Sequence, residues 1–307
     1  MNHDSPDRGV TQAADHRRRI AIAFGITGSL VIAQAVGAVI TGSLALLVDT
    51  AHMLTDAVGL LLALVAASLT LRPASPRRTW GFRRAEVLAA LGQSALLLVV
   101  GIYVLIEAIR RLADPPEIPS TELIVFGVIG LIANLASLAV LASRRRESFN
   151  IRAAFLEVLN DALGSVAVIV AAVVIATTGW QQADTVAALL IGALILPRAL
   201  RLLRETVNVL LETTPPGLDL DAVREHLLEV DHVVSVHDLH ASLIATGLPT
   251  LSAHVVVDDS CFHDGHAPQL LYALQQCVAE QYDVSVEHST FQLEQRGHTD
   301  HESPTHH

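Results

Sequence analysis

Apolar residues run from Ile20 to Leu211 with only short polar or arginine-rich breaks, which divide the run into six segments near 20–40, 43–71, 86–109, 122–142, 153–177 and 184–204. Each spans about 20 or more mostly apolar residues, the length a helix needs to cross a bilayer. Segments one and two are joined by Thr41-Gly42 alone, a tight hairpin on one side of the membrane. After the sixth segment, ETTPPGL breaks the pattern with two prolines and a glycine. Helical spacing follows at Asp219–Glu229, strand-like alternation at Val233–Ile244 and Leu251–Asp258 around a Thr-Gly-Leu-Pro turn, helical spacing again at Pro268–Gln281, and alternation at Val284–Leu293. The expected fold class is an α-helical polytopic membrane protein with six transmembrane helices and a C-terminal α+β (αββαβ, ferredoxin-like) cytoplasmic domain. The expected domains are a polar tail at 1–19, the membrane domain at 20–211, the soluble module at 212–295 and a histidine-containing tail at 296–307.

Composition agrees with a membrane protein: the 307 residues are 51% hydrophobic and mean hydropathy is +0.48. Every basic side chain other than histidine is arginine. Arg17–Arg19, the Arg72–Ala85 connection, the SRRRESFNIR connection and the exit of segment six fall on one face, leaving only Arg110 and Arg111 on the other. That bias predicts cytoplasmic termini in a multi-pass inner-membrane protein, with Trp180 at the outer interface. The N-terminus has no apolar core with a small-residue cleavage site, so no cleaved signal is expected. The net charge of −11 comes largely from the last third and argues against nucleic acid as a partner. Cys261 and Cys277 form no disulfide framework and no metal-binding cysteine pair.

Segment two carries ionisable groups that a lipid-spanning helix normally excludes. Asp49, His52 and Asp56 recur at i, i+3 and i+7, on one helical face. A carboxylate at the centre of a span costs about 2.5–3.5 kcal/mol on insertion scales. Segment five carries Glu157 and Asp161 at i, i+4. Two helices that each present a ligand pair one turn apart offer four-coordination, which suits zinc with its His nitrogen and carboxylate oxygen donors. His52, Asp56, Glu157 and Asp161 are therefore the candidate site for a divalent metal ion. A buried structural cluster and a proton relay are the alternatives; no arginine is expected inside the bundle to pair the carboxylates. Asp49, one turn toward the outer end, either supports the ligands and their access path or packs helices. Gln93 and Asn134 are expected to bond between helices. Asp184 falls near the outer end of segment six.

The runs SLALLVDTAHMLTDAVGL, WGFRRAEVLAAL, FLEVLNDALGSVAVI and VHDLHASLIATGLPTLSAHVVVD resemble the cation diffusion facilitator family of zinc and heavy-metal efflux proteins, over residues 16–295. The resemblance implies six membrane helices, a cytoplasmic C-terminal domain, a homodimer, and divalent metal exchanged for protons. His52, Asp56 and Asp161 match its transport motif. Glu157 departs from the zinc branch, which has His there, and the extra oxygen donor raises Mn2+, Co2+, Cd2+ or Fe2+ as alternatives to Zn2+. Arg83 stands where that branch often carries His, which argues against a metal site in that connection. By the same resemblance, His237, His254 and His288 are the cytoplasmic metal residues, with Glu294 and His266 weaker candidates. His237 and His240 share a face only if a bulge intervenes. Thr290 replaces a carboxylate of some relatives.

The sequence predicts a divalent-metal/proton antiporter, not an enzyme, with no permanent cofactor. Divalent metal ions, protons, the lipid bilayer and a second copy of the chain are its partners. A membrane metal sensor is the competing reading. An intramembrane metalloenzyme is disfavoured because no H-E-x-x-H run occurs.

Overall fold

The computed structural model describes residues 28–142, 149–280, 282 and 284–298, with backbone alone at several of these, Glu157 among them. The described residues begin with α1 (Gly28–Thr41), then α2 (Leu44–Thr70), α3 (Ala85–Ala113), α4 (Ser120–Ala142), α5 (Phe149–Thr178) and α6 (Gln182–Leu210). Among the described residues, α2 to α6 are each long and apolar enough to span a bilayer, and α1 is shorter. The first expected span begins in residues outside the described range. The protein is thus a helical membrane-spanning domain followed by an α+β module.

Packing divides the chain into two units. One holds the described residues up to Leu61 with Gly92–Arg201; the other holds Leu62–Leu91 and the described residues from Leu202 onward.

In the first unit, the α1–α2 hairpin turns at Gly42, whose φ of 64° suits a residue without Cβ. Arg111 Nη1 donates to the Gly42 carbonyl at 2.6 Å. The core is built of small and branched residues: Leu44, Val48, Ala108, Val168, Ala172, Ala188 and Ile191. Alanines at these contacts let helix backbones approach closely, as packing within a membrane requires. The outward faces stay apolar, with Ile32, Val39 and Val99 exposed for contact with lipid.

In the second unit, α7 (Leu220–Leu228) begins at Asp219, whose Oδ1 accepts from the Asp221 and Ala222 amides at 3.0 and 3.4 Å. The order continues β1 (Val233–Ala245), β2 (Leu248–Val257), a short 3-10 turn, α8 (Ala267–Glu280) and β3 (His288–Glu294). The expected αββαβ order is therefore present. The sheet runs β1-β2-β3, with β1 antiparallel and β3 parallel to β2. Strand β2 starts earlier than expected, at Leu248, and takes in Pro249. The proline is tolerated there because pairing with β3 begins only at Thr250, so no ladder bond on that side needs its missing N–H. Strand β3 starts later than the alternation predicts, at His288, opposite Thr250. Val223, Leu227, Val255, Leu274, Val278 and Phe291 form the core between helices and sheet.

The α2–α3 connection belongs to this second unit and is folded rather than extended. Ser75 and Arg78 form a bridge, the Arg78 guanidinium lies 4.2 Å from the Phe82 ring centroid, and Trp80 meets His288 edge-on at 4.8 Å. Arg84 pairs with Glu212 at 2.6 Å.

Candidate metal centres

His52 is buried on α2, and its Nε2 faces two carboxylates: Asp56 Oδ2 at 3.4 Å and Asp161 Oδ1 at 3.7 Å. The first lies one turn along the same helix; the second is brought in by α5. Donors bound tetrahedrally to zinc at about 2.0–2.1 Å stand about 3.3 Å apart. The two spacings are therefore near those a shared cation imposes, before any ion draws the donors in. The backbone of Glu157 lies in α5 one turn before Asp161, and its side chain is outside the described residues. Gln93 of α3 donates to Asp56 Oδ1 at 3.4 Å, and Gly59 leaves room for its amide where a Cβ would overlap it. Asn134 donates to Ser165 Oγ at 3.3 Å. Both amides thus bond between helices, as expected.

Asp49 is 2% exposed and accepts from Gln34 Nε2 at 3.2 Å. A Cβ at Gly164 would stand 2.9 Å from its Oδ1, so the glycine lets α5 approach this carboxylate without displacing it. A small cavity of about 30 Å³, room for about one water, lies between Asp49, His52, Asn160, Asp161, Gly164, three aliphatic side chains of α6, and Arg198. One of the residues lining this cavity is thus an arginine, exposed on α6. Helix α6 runs on to Leu210, past the expected edge near 204, and Arg198 lies within it.

The soluble sheet holds a tighter group. Among the described residues, His237, His254 and Glu294 are the one set of three or more His, Cys, Asp or Glu whose donor atoms all lie within 4.8 Å of one another. His237 and His254 are cross-strand partners in β1 and β2. Glu294, only 3% exposed, reaches His254 Nδ1 at 2.8 Å and His237 Nε2 at 3.5 Å. His288 stands apart from them. It lies on the same face of β3 as Glu294, but register sets it opposite Thr250, whereas Gln292 sits opposite His254. Four residues of strand amount to about 13 Å. His288 instead packs on Trp80. The bulge that would let His237 and His240 share a face is present, with Asp238 at φ 51°, yet His240 turns outward and pairs with Asp238 at 3.6 Å. His266 Nδ1 meets Asp264 at 2.9 Å, and that contact holds the Asp264 carboxyl below its usual range.

A family model described as the cation efflux transmembrane domain matches residues 20–211, and one for the cation efflux protein cytoplasmic domain matches residues 215–296. The chain belongs to the cation diffusion facilitator family. Within that family of transporters, it is similar to the metal cation efflux system protein CzcD of Cupriavidus metallidurans, 43% identical over 93% of this chain and 90% of the relative. The zinc transporter ZitB of Escherichia coli is 38% identical over 91% of this chain and 88% of its own. The cadmium, cobalt and zinc/H(+)-K(+) antiporter of Bacillus subtilis is 34% identical over 89% and 87%.

Family resemblance did not point to Gln34 or Arg198. Gln34 had a signal, since it is the polar side chain in the middle of an apolar helix. Arg198 reads in the sequence only as one of the arginines that set sidedness. Glu294 shares strand parity with His288, and only the register between β2 and β3 separates them.

Proposed function

We propose that this protein exports divalent metal ions from the cytoplasm in exchange for protons, with Zn2+ as the preferred cargo. His52, Asp56, Glu157 and Asp161 are its transport ligands. The observation that carries the reading is one imidazole nitrogen flanked by two carboxylates from two helices inside an apolar bundle. Metal binds the deprotonated forms of all these groups, and protons compete for the same atoms. Exchange therefore needs no separate coupling device. Cytoplasmic metal enters and displaces protons, the bundle opens outward, and external protons release the metal. The printed names of the relatives, which include zinc, cadmium and cobalt, support this class of cargo. Glu157 in place of His leaves Mn2+, Co2+, Cd2+ or Fe2+ as the alternative.

In this reading residues 20–211 form the membrane domain and 212–295 the cytoplasmic one, flanked by tails at 1–19 and 296–307. The protein works as a homodimer in the inner membrane with both termini in the cytoplasm, and carries no permanent cofactor. The trio His237, His254 and Glu294 favours a second role for the soluble domain, which binds cytoplasmic metal and reports its level to the transporter.

The test is metal-driven proton flux in liposomes carrying the full chain, over a panel of Zn, Cd, Co, Mn and Fe. Asp161→Ala abolishes flux, and Glu157→His shifts preference toward zinc over manganese and cobalt. Flux at the normal rate in Asp161→Ala ends the assignment of the site.

A further inference from the structure

The cavity beside His52 lies on one side of the imidazole. Asp161, Asp49 and Asn160 line it; Asp56 does not. Its sixth polar or small contributor is Arg198, an exposed residue of α6. The site is thus asymmetric: one carboxylate, Asp56, is held by the neutral amide of Gln93, while the other, Asp161, shares a cavity with a permanent cation. Asp49 adds a second carboxylate to the cavity, its described partner again a neutral amide.

Two carboxylates around so small a cavity are costly when no ion is bound, because their repulsion is weakly screened away from water. A guanidinium never loses its charge, and its planar fork matches a carboxylate edge. The helix that carries Arg198 also holds a proline. Pro197 precedes Arg198 within α6, and a proline inside a helix removes one backbone bond and permits bending at that turn.

Resting on the proposed transport site, we infer that Arg198 is a tethered counter-cation that competes with the divalent cargo for the Asp161 side of the site. With the site empty, the guanidinium stands in for the metal's charge and lets the bundle return. With cargo bound, it is displaced toward the cavity mouth. Arg198 thereby weakens binding enough for release, and its role is positioning and charge compensation rather than ligation.

Zinc transport into liposomes carrying the full chain, measured over a range of zinc concentrations, tests this. Arg198→Gln lowers KM for zinc about tenfold, as expected for removing one competing charge near the site, and lowers kcat through slower release. Arg198→Lys keeps the charge and stays close to the unmodified protein in KM. Arg198→Met, which keeps the apolar stem, reproduces the fall in KM and substitutes for the glutamine variant if that one folds poorly. A KM in the neutral variants that is unchanged or raised overturns the inference, as does a lysine variant that behaves like the neutral ones. Asp161→Ala run alongside separates the two ideas: transport that survives there sinks the site itself, whereas lost transport there with an unmoved KM in Arg198→Gln sinks only the role of Arg198.

Discussion

Asp184 is buried in the first turn of α6 and does its work on another helix. Its carboxylate bonds Ser43 Oγ and accepts from the Leu44 and Ala45 amides at 2.6 and 3.3 Å, while Ser43 Oγ takes the Leu46 amide at 3.1 Å. The first-turn donors of α2 are thereby satisfied where water is scarce. Asp184→Ala leaves several of them unpaired and is expected to cost about 1–3 kcal/mol, read as a lower thermal unfolding midpoint of the detergent-solubilised protein. Asp184→Asn, which keeps an acceptor, recovers much of the loss. The polar character of Asp184 was visible in the sequence, but its partner lies 140 positions away. The same holds for Gly164 and Asp49: each residue is plain on the page, and only helix packing makes one a condition of the other.

At the scale of elements, the cytoplasmic unit depends on how α7, α8 and the sheet meet. Tyr282, just beyond α8, sets its hydroxyl 2.7 Å from His226 Nδ1 and 3.3 Å from the Ala222 carbonyl, both on α7. Burial first, and then nearby Cys277 and acidic groups, push its phenol up to about 12. A phenol in the unfolded chain titrates near 10. Its folded value is the higher one, so the stabilising contribution is complete below about pH 10 and is lost as pH rises from about 10 to 12. Denaturation of the cytoplasmic unit followed by Trp80 fluorescence is expected to show that decline, and Tyr282→Phe to flatten it. The order αββαβ follows from period and turn residues alone. Strand register does not, because parity in a strand repeats every two residues and leaves several pairings equivalent until packing selects one. That is why His288 and Glu294 exchange places between expectation and structure.

At the scale of the molecule, the arginine distribution predicts a definite sidedness. Thr178→Cys, at the exposed C-terminal end of α5, is expected to react with a membrane-impermeant maleimide from outside intact cells, whereas Arg77→Cys is expected to react only after the membrane is opened. The reverse pattern inverts the proposed topology. The native thiols leave this experiment clean. Cys261 and Cys277 are both buried in the soluble core, and burial raises both thiols above their usual range, which keeps them from the reactive thiolate form.

By itself the sequence determined the apolar spans, the hairpin at Gly42, the soluble αββαβ module and the spacing of His52 with Asp56 and of Glu157 with Asp161. These are local properties: hydropathy, helical period and turn chemistry act over a few residues. Tertiary structure alone decided that Asp161 faces His52, that Glu294 and not His288 meets His237 and His254, that Asp184 caps α2, and that Arg198 lines the cavity. Each of those joins residues far apart in the chain, and no local rule specifies which helix faces or strand registers will pack together.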